Sequence, residues 1–299
     1  MRYPKHFLAA ITAFIIWGFI SFGLKPLHEN ASLDILFYRV FLSVVLMLAV
    51  SLGFRSRAIR EAKAVIAEMP PQKRINLLLL TIVSAVLLSA NWFFFIYVMN
   101  HISVNTAAFA YLVCPIITTV FAFFILREKL TRLQWAAVVL SIFSCLLLSI
   151  GHYLDIIYSL IIAATYALYL VIQKRIVAID KFLLLNAQLI VTAVILLPFY
   201  PVYSGTVPTE ARFYIYLAII AIVFTIIPLF LNLYALKKIN SSTVGILLYV
   251  NPIINFLLAI FYYHEKISLF QILAYSLILV SIVLFNVKSF SRTKAGIGT

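Results

Sequence analysis

YVMNHISVNTAAFAYLVCPIITTVFAFFILREKLTRLQ (residues 97–134) and YALKKINSSTVGILLYVNPIINFLLAIFYYHEKISLFQ (residues 234–271) align without a gap at an offset of 137. Twelve of the 38 positions are identical, among them Tyr97/Tyr234, Thr106/Thr243, Pro115/Pro252, Glu128/Glu265, Lys129/Lys266 and Gln134/Gln271. Two unrelated apolar helices would share leucines and isoleucines, whereas Pro, Glu-Lys and Gln held in one register mark a duplication. A weaker match at offset 149 pairs Trp17 with Tyr166 and Lys25 with Lys174. The chain therefore reads as two units, 1–150 and 151–290, followed by a short tail, 291–299.

Around this core the composition is that of a membrane protein. Of 299 residues, 65% are hydrophobic and 11% charged, with mean hydropathy +1.12, against about 25% charged residues in a soluble domain. Apolar runs between charged or Pro/Gly-bearing breaks give ten candidate transmembrane helices: 7–27, 33–53, 75–99, 104–126, 131–150, 154–174, 182–203, 212–236, 242–263 and 268–289. At about 20 residues each, ten spans leave only loops and tails and no room for a soluble domain. The expected fold is an all-α polytopic membrane protein. Each unit holds five spans, an odd number, so the second must enter the membrane upside down. Inverted repeats of this kind are the sequence sign of alternating access, because the copies can exchange conformations to open one side and then the other. A duplication kept only for packing is the plainer reading of the same pattern.

The net charge of +14 orients the spans. With both termini in the cytoplasm, inner segments hold 19 of the 23 basic residues, and only Lys25, Arg39, Arg212 and Lys266 fall outside. This is the positive-inside bias, and it accounts for the charge without nucleic acid. Arg2 and Lys5 before the first run resemble a signal peptide, but nine further spans follow and no small-residue cleavage motif does, so the run reads as a retained helix. Cys114 and Cys145 lie in apolar runs with no CxxC and no histidine pair, which points to packing rather than a disulfide or zinc.

At Trp17-Gly18, at the repeated pattern ending in Glu-Lys, and in the two five-helix units, the chain resembles the EamA family of the drug/metabolite transporter superfamily. YRVFLS (38–43), ANWFFFIYVMN (90–100), LVCPIITTVFAFFILREKLTRLQW (112–135) and YVNPIINFLLAIFYYHEK (249–266) are similar to its RarD-like branch. The resemblance covers nearly the whole chain. It implies a ten-helix secondary transporter of small metabolites or drug-like solutes, an exporter, in the cytoplasmic (inner) membrane of a bacterium. The chain departs from the branch at Tyr38-Arg39, where His-Arg is common, and at Cys114, where an Asn usually precedes the proline.

Deep polar residues cost free energy in hydrocarbon, so they should face the bundle or a water-filled space. Arg39 lies about two turns inside its span. It is expected to latch an outer gate with Asp34, Asp155 or Glu265, while bidentate contact with an anionic solute and snorkelling to the interface stay open. Asn91 and Trp92, with Tyr97 further along, suit a mid-membrane pocket, or they are interhelical hydrogen-bond contacts. Trp17, Tyr111, Tyr166, Tyr234 and Tyr249 could wall the same pocket or serve as interfacial anchors. Asn186, Gln188 and Asn251 are further pocket candidates, and Gln173, Asn232 and Asn255 add polar groups to the second unit. Pro115 and Pro252 each remove a backbone hydrogen bond mid-helix at matched positions, which suggests a moving pair of hinges.

No carboxylate falls in the middle third of any span, so a buried acid relay is absent from the sequence; uniport, or coupling through a boundary acid or histidine, is expected. No HExxH, paired intramembrane Asp or GxxxxGK[ST] occurs, which argues against an enzyme and against direct ATP drive. No metal or other cofactor is expected. The expected partners are a small-molecule substrate and the lipid bilayer. A homodimer is compatible with this, and a monomer suffices. The alternative is a non-transporting membrane scaffold or receptor.

Overall fold

The computed structural model describes residues 4–27, 29–101, 104–148, 155–176, 179–262 and 269–294, and among them every regular element is helical. The elements are α1 (Pro4–Gly18), α2 (Ile20–Leu24), α3 (Ser32–Phe54), α4 (Ser56–Glu68), α5 (Pro71–His101), α6 (Val104–Leu126), α7 (Arg132–Leu148) and α8 (Asp155–Arg175). They continue with α9 (Lys181–Leu196), α10 (Tyr200–Tyr203), α11 (Ala211–Ala221), α12 (Ile227–Leu236), α13 (Ser241–Leu247), α14 (Val250–Phe261) and α15 (Leu269–Lys294). Four stretches are long and apolar enough to cross a membrane: Ser32–Phe54, Pro71–Phe95, Ile157–Arg175 and Ala211–Leu236. Shorter apolar helices of 10–17 residues include Ala110–Leu126, Arg132–Leu147 and Lys181–Leu196.

Several apolar runs are broken where the backbone chemistry requires it. α9 stops two residues before Pro198, and the single turn α10 follows with Pro201 near its start. A π turn, Ile222–Ile226, separates α11 from α12. Pro228 has no N–H, so the donor that would reach the Phe224 carbonyl four residues back is missing. Pro252 likewise cannot bond to Leu248 O, which instead accepts from Asn251 N at 3.0 Å in the tight turn between α13 and α14. Pro115, its counterpart in sequence, sits inside α6, which runs through it unbroken.

One helix lies where the sequence suggests only an inner loop. α4 has no buried residue, and it presents Ala58, Ile59, Ala62 and Ile66 half-covered on one side. Arg57, Arg60 and Lys63 stand on the other, with an exposed Arg57–Glu61 contact of 2.8 Å. Its average composition is polar, so a search for apolar runs passes over it; the amphipathic spacing suits a helix lying in a membrane interface.

The surface carries large apolar side chains, and polar groups share the interior with the apolar core. Ser84, Thr118, Thr119, Ser141, Ser144, Gln173, Gln188, Thr192 and Asn232 are buried, while Phe54, Phe124 and Phe261 are exposed. With lipid outside, apolar burial gives helices no reason to associate, and close approach and interhelical hydrogen bonds take over. α7 runs antiparallel to α15, joined by Ser141 Oγ to Ser281 Oγ at 3.0 Å and Ser144 Oγ to Ala274 O at 2.8 Å. α5 runs parallel to α9, joined by Gln188 Nε2 to Ser84 Oγ at 2.8 Å and Ser89 Oγ to Thr192 Oγ1 at 3.2 Å. Where α1 meets α14 and α6 meets α13, glycines allow the contact. A Cβ on Gly18 would stand 2.8 Å from Ile254 Cβ, and one on Gly245 would stand 2.8 Å from Thr118 Cβ.

Candidate functional site

The centre of the bundle is an aromatic and amide cluster on α1, α8 and α12. Trp17 ends α1 pointing at α8, where its ring meets Tyr166 edge-on at 6.1 Å. Tyr166 and Tyr169, one turn apart on α8, stack at 5.8 Å. Asn232 Nδ2 donates to the Tyr166 hydroxyl at 2.9 Å. Asn232 Oδ1 and the Tyr169 hydroxyl are buried and, among the described residues, have no hydrogen-bond partner. Orphaned polar atoms in a bundle centre are costly.

Trp17 has a second task. Its Nε1 donates to the Phe224 carbonyl at 2.8 Å, supplying the hydrogen bond that Pro228 cannot. Trp17→Phe keeps an aromatic side chain, smaller than the indole, and removes the donor, so a buried carbonyl loses its partner. The expected cost is about 1–2 kcal/mol, read as a lower midpoint in detergent unfolding; an unchanged midpoint would show that the bond carries no stability.

Beside this cluster, Arg39 on α3 is 8% exposed, and its guanidinium lies over the Trp92 ring at 4.6 Å. Asp34 is not its partner: both Asp34 oxygens accept from Gly205 N, at 3.1 and 3.2 Å. In this conformation the carboxylate faces the loop before α11. The other two expected partners lie outside the description: Asp155 only begins α8, its side chain undescribed, and Glu265 is not among the described residues. Tyr111 on α6 packs edge-on against Phe95 at 5.4 Å and against the buried cluster that holds Tyr166 and Tyr169.

The remaining candidates scatter. Asn91 Nδ2 donates to Ile162 O at 2.8 Å and to Thr165 Oγ1 at 3.4 Å, fastening α5 to α8. Asn186 Nδ2 donates to Ser51 Oγ at 2.9 Å, fastening α9 to α3, as Gln188 fastens α9 to α5. Tyr97 is 44% exposed and stacks on Phe93 at 6.3 Å, on the outside of α5. Tyr234 stacks on His6 at 4.4 Å where α1 meets the end of α12. There burial, then Lys238, Lys237 and Lys174, push the His6 imidazole below its ordinary pKa. Tyr249 is buried in a separate cluster with Leu112, Ile246 and Ile278, and Asn251 is buried near the start of α14.

Three residues that matter were not singled out as site residues from sequence. Tyr169 and Asn232 join the central cluster; their signal is polar atoms within apolar runs, one turn from Tyr166 in the first case. Glu128 is the third. α6 ends with Arg127 in the left-handed region, φ 55°, and Glu128 N closes back on Ala122 O at 3.2 Å. That turn aims the Glu128 carboxylate at the first turn of α13, where it accepts from Ser241 N at 2.8 Å, Ser242 N at 3.1 Å and the Ser242 hydroxyl.

A cleft of about 230 Å³ between Pro26–Asn30 and Thr206–Phe213 carries none of the candidate residues. Of the candidate residues, Trp17 and Tyr166 meet in the central cluster, and Arg39 and Trp92 meet beside it.

The EamA-like transporter family model matches residues 5–150 and 154–287. The chain is 31% identical to the uncharacterized transporter YojE of Bacillus subtilis (strain 168), over 97% of this chain and 95% of that one. It is 30% identical to protein RarD of Salmonella typhi, over 93% of each, and 29% identical to RarD of Escherichia coli (strain K12), over 93% and 92%. A solved crystal structure superposes with TM-score 0.75 at 14% identity, covering 95% of this chain and 98% of that one, which speaks to the fold alone. With apolar helices outside and polar side chains within, this is a multi-pass membrane transporter. It belongs to the EamA-like transporter family.

Proposed function

We propose that the protein is a secondary transporter that exports small metabolites or drug-like solutes across a bacterial cytoplasmic membrane by alternating access. In this reading ten helices cross the membrane, units 1–150 and 151–290 are inverted copies, the tail 291–299 is cytoplasmic, and both termini lie inside. The observation that carries it is the asymmetry of the matched prolines: α6 continues through Pro115, while its counterpart is divided into α13 and α14 just before Pro252. Two copies of one sequence in two shapes are what a rocking pair needs in any single state. Helix directions support the inversion, since sequence-matched α7 and α15 pack antiparallel and sequence-matched Trp17 and Tyr166 touch. The pocket is formed by Trp17, Trp92, Tyr111, Tyr166, Tyr169 and Asn232.

The test is flux in liposomes containing only this protein. Candidate solutes come from metabolite comparison of cells with and without the gene, and catalysed counterflow is expected; its absence for every accumulated solute would favour a scaffold or receptor. Pro115→Ala and Pro252→Ala each restore a backbone donor and should slow flux while shifting accessibility in opposite directions. Cysteine labelling from each side reads this, and identical shifts would reject the paired hinge.

A further inference from the structure

Four cations at the edges of this bundle are answered by protein oxygens. Lys174 Nζ donates to Leu236 O at 2.8 Å and to Ile239 O at 2.5 Å. Lys181 Nζ donates to Ile176 O and, at 3.4 Å, to Gln173 O. Arg175 Nη2 donates to Ile125 O at 2.8 Å, and Arg55 meets Asp180 at 3.3 Å. Arg39 is buried more completely than Arg55 or Arg175, and among the described residues no group accepts a hydrogen bond from its guanidinium; Nε is fully enclosed and unpaired. A charge taken out of water without a counter-charge is strongly unfavourable. The Trp92 face answers part of that cost, but it leaves the donors in the guanidinium plane unused.

The surroundings say what would complete the site. Asp34, the nearest carboxylate in sequence, meets Gly205 N and not Arg39. Trp92 and Tyr111 are only partly covered although both pack against the central cluster, so aromatic surface is left beside the guanidinium. The enclosed surfaces are flat and aromatic, and the open functional group is a planar fork of N–H donors. Planar oxyanions match that fork in two parallel hydrogen bonds, which an ammonium or a neutral amide cannot do.

We propose that Arg39 is the anion subsite for the transported solute, binding a carboxylate through its guanidinium while Trp92 and Tyr111 hold the flat apolar body attached to it. This rests on the transporter reading for its purpose, but its test measures binding alone. A chain that binds and does not move solute would sink the transport reading and leave this one standing; flux of an uncharged solute with no preference for anions would do the reverse.

The full-length chain in lipid nanodiscs is titrated with benzoate, benzamide and benzylamine, which share a ring and differ in charge, with tryptophan fluorescence as the readout. Benzoate should quench saturably and bind at least about tenfold tighter than either competitor. Arg39→Gln should abolish that preference. Arg39→Lys, which keeps the charge and loses the fork, should bind benzoate about three- to tenfold more weakly than the unaltered chain, and it keeps the test decisive if Arg39→Gln fails to fold. Equal binding of benzoate and benzamide, no saturable benzoate signal, or a benzoate affinity unchanged in Arg39→Lys would each overturn the proposal.

Discussion

Gly245→Val should prevent the folded bundle from forming in most molecules, with a loss of at least about 2–3 kcal/mol. The reason lies in the position of the first atom added. A Cβ at 245 would stand 2.8 Å from both Cβ and Cγ2 of Thr118 and 3.5 Å from Pro115 O. Thr118 cannot swing away, because Cβ is fixed by the backbone and its hydroxyl is bonded to Cys114 O at 2.8 Å. The overlap must therefore move α6 or α13 as a whole, and α6 is anchored nearby by Cys145 Sγ against Leu112 O at 3.4 Å. Monodisperse yield after extraction and the midpoint of detergent unfolding give the readout. Gly53→Val is the control, since a Cβ there meets nothing within 4 Å. Equal behaviour of the two variants would mean that the crossing of α6 and α13 is looser than described.

Glu128→Gln should have the next largest effect, confined to one end of the bundle. The carboxylate accepts from two backbone N–H groups and one hydroxyl at the start of α13, and hydrogen bonds to a charged acceptor are worth about 1.5–3 kcal/mol. An amide presents an NH₂ where one of those donors now points. The first turn of α13 should then open at least about tenfold more often, since 1.4 kcal/mol is a factor of ten. Hydrogen exchange of the segment 240–247 measures this directly. Glu128→Asp, one methylene short, should fall between, and exchange unchanged in Glu128→Gln would show that the contact is incidental.

The sequence made the long apolar helices legible because lipid imposes one simple demand, a long apolar run, and Ser32–Phe54, Pro71–Phe95, Ile157–Arg175 and Ala211–Leu236 lie on such runs. It made the breaks at Pro228 and Pro252 legible only in part. A missing N–H can be read from the chain, but whether the helix then kinks, widens or continues depends on what can reach the freed carbonyl. At Phe224 the indole of Trp17, more than 200 positions away, reaches it; at Pro115 the helix simply runs on. α4 was hidden by its polar average. The site was legible as a set of residue types and not as a place. Asn91, Asn186 and Gln188 look like Asn232 in sequence, yet three of them fasten neighbouring helices and one meets the central tyrosine. Amides are equally good at both tasks, so only the helix phase on each side decides. Glu128 shows the same limit, since an Asn-Ser-Ser start at 240–242 invites a cap but the residue that provides one comes from a distant loop.

The π turn between α11 and α12 has a consequence for that phase. Leu217, Ala221, Thr225, Leu229 and Leu233 are all buried, each four residues after the last. An ideal helix advances about 100° per residue, so such a stripe would drift by about 40° at every step and wind roughly 160° around the axis. One widened turn absorbs most of that drift and keeps the stripe on a single side. Asn232 stands next to the last member of the stripe, so its meeting with the Tyr166 hydroxyl is set by a count of residues as much as by any contact. The same residues wound as ordinary α-helix through Ala221–Ile227 would turn that amide about 100° away from the ring it now meets, whereas removing one residue there would close the wide turn and leave its direction unchanged.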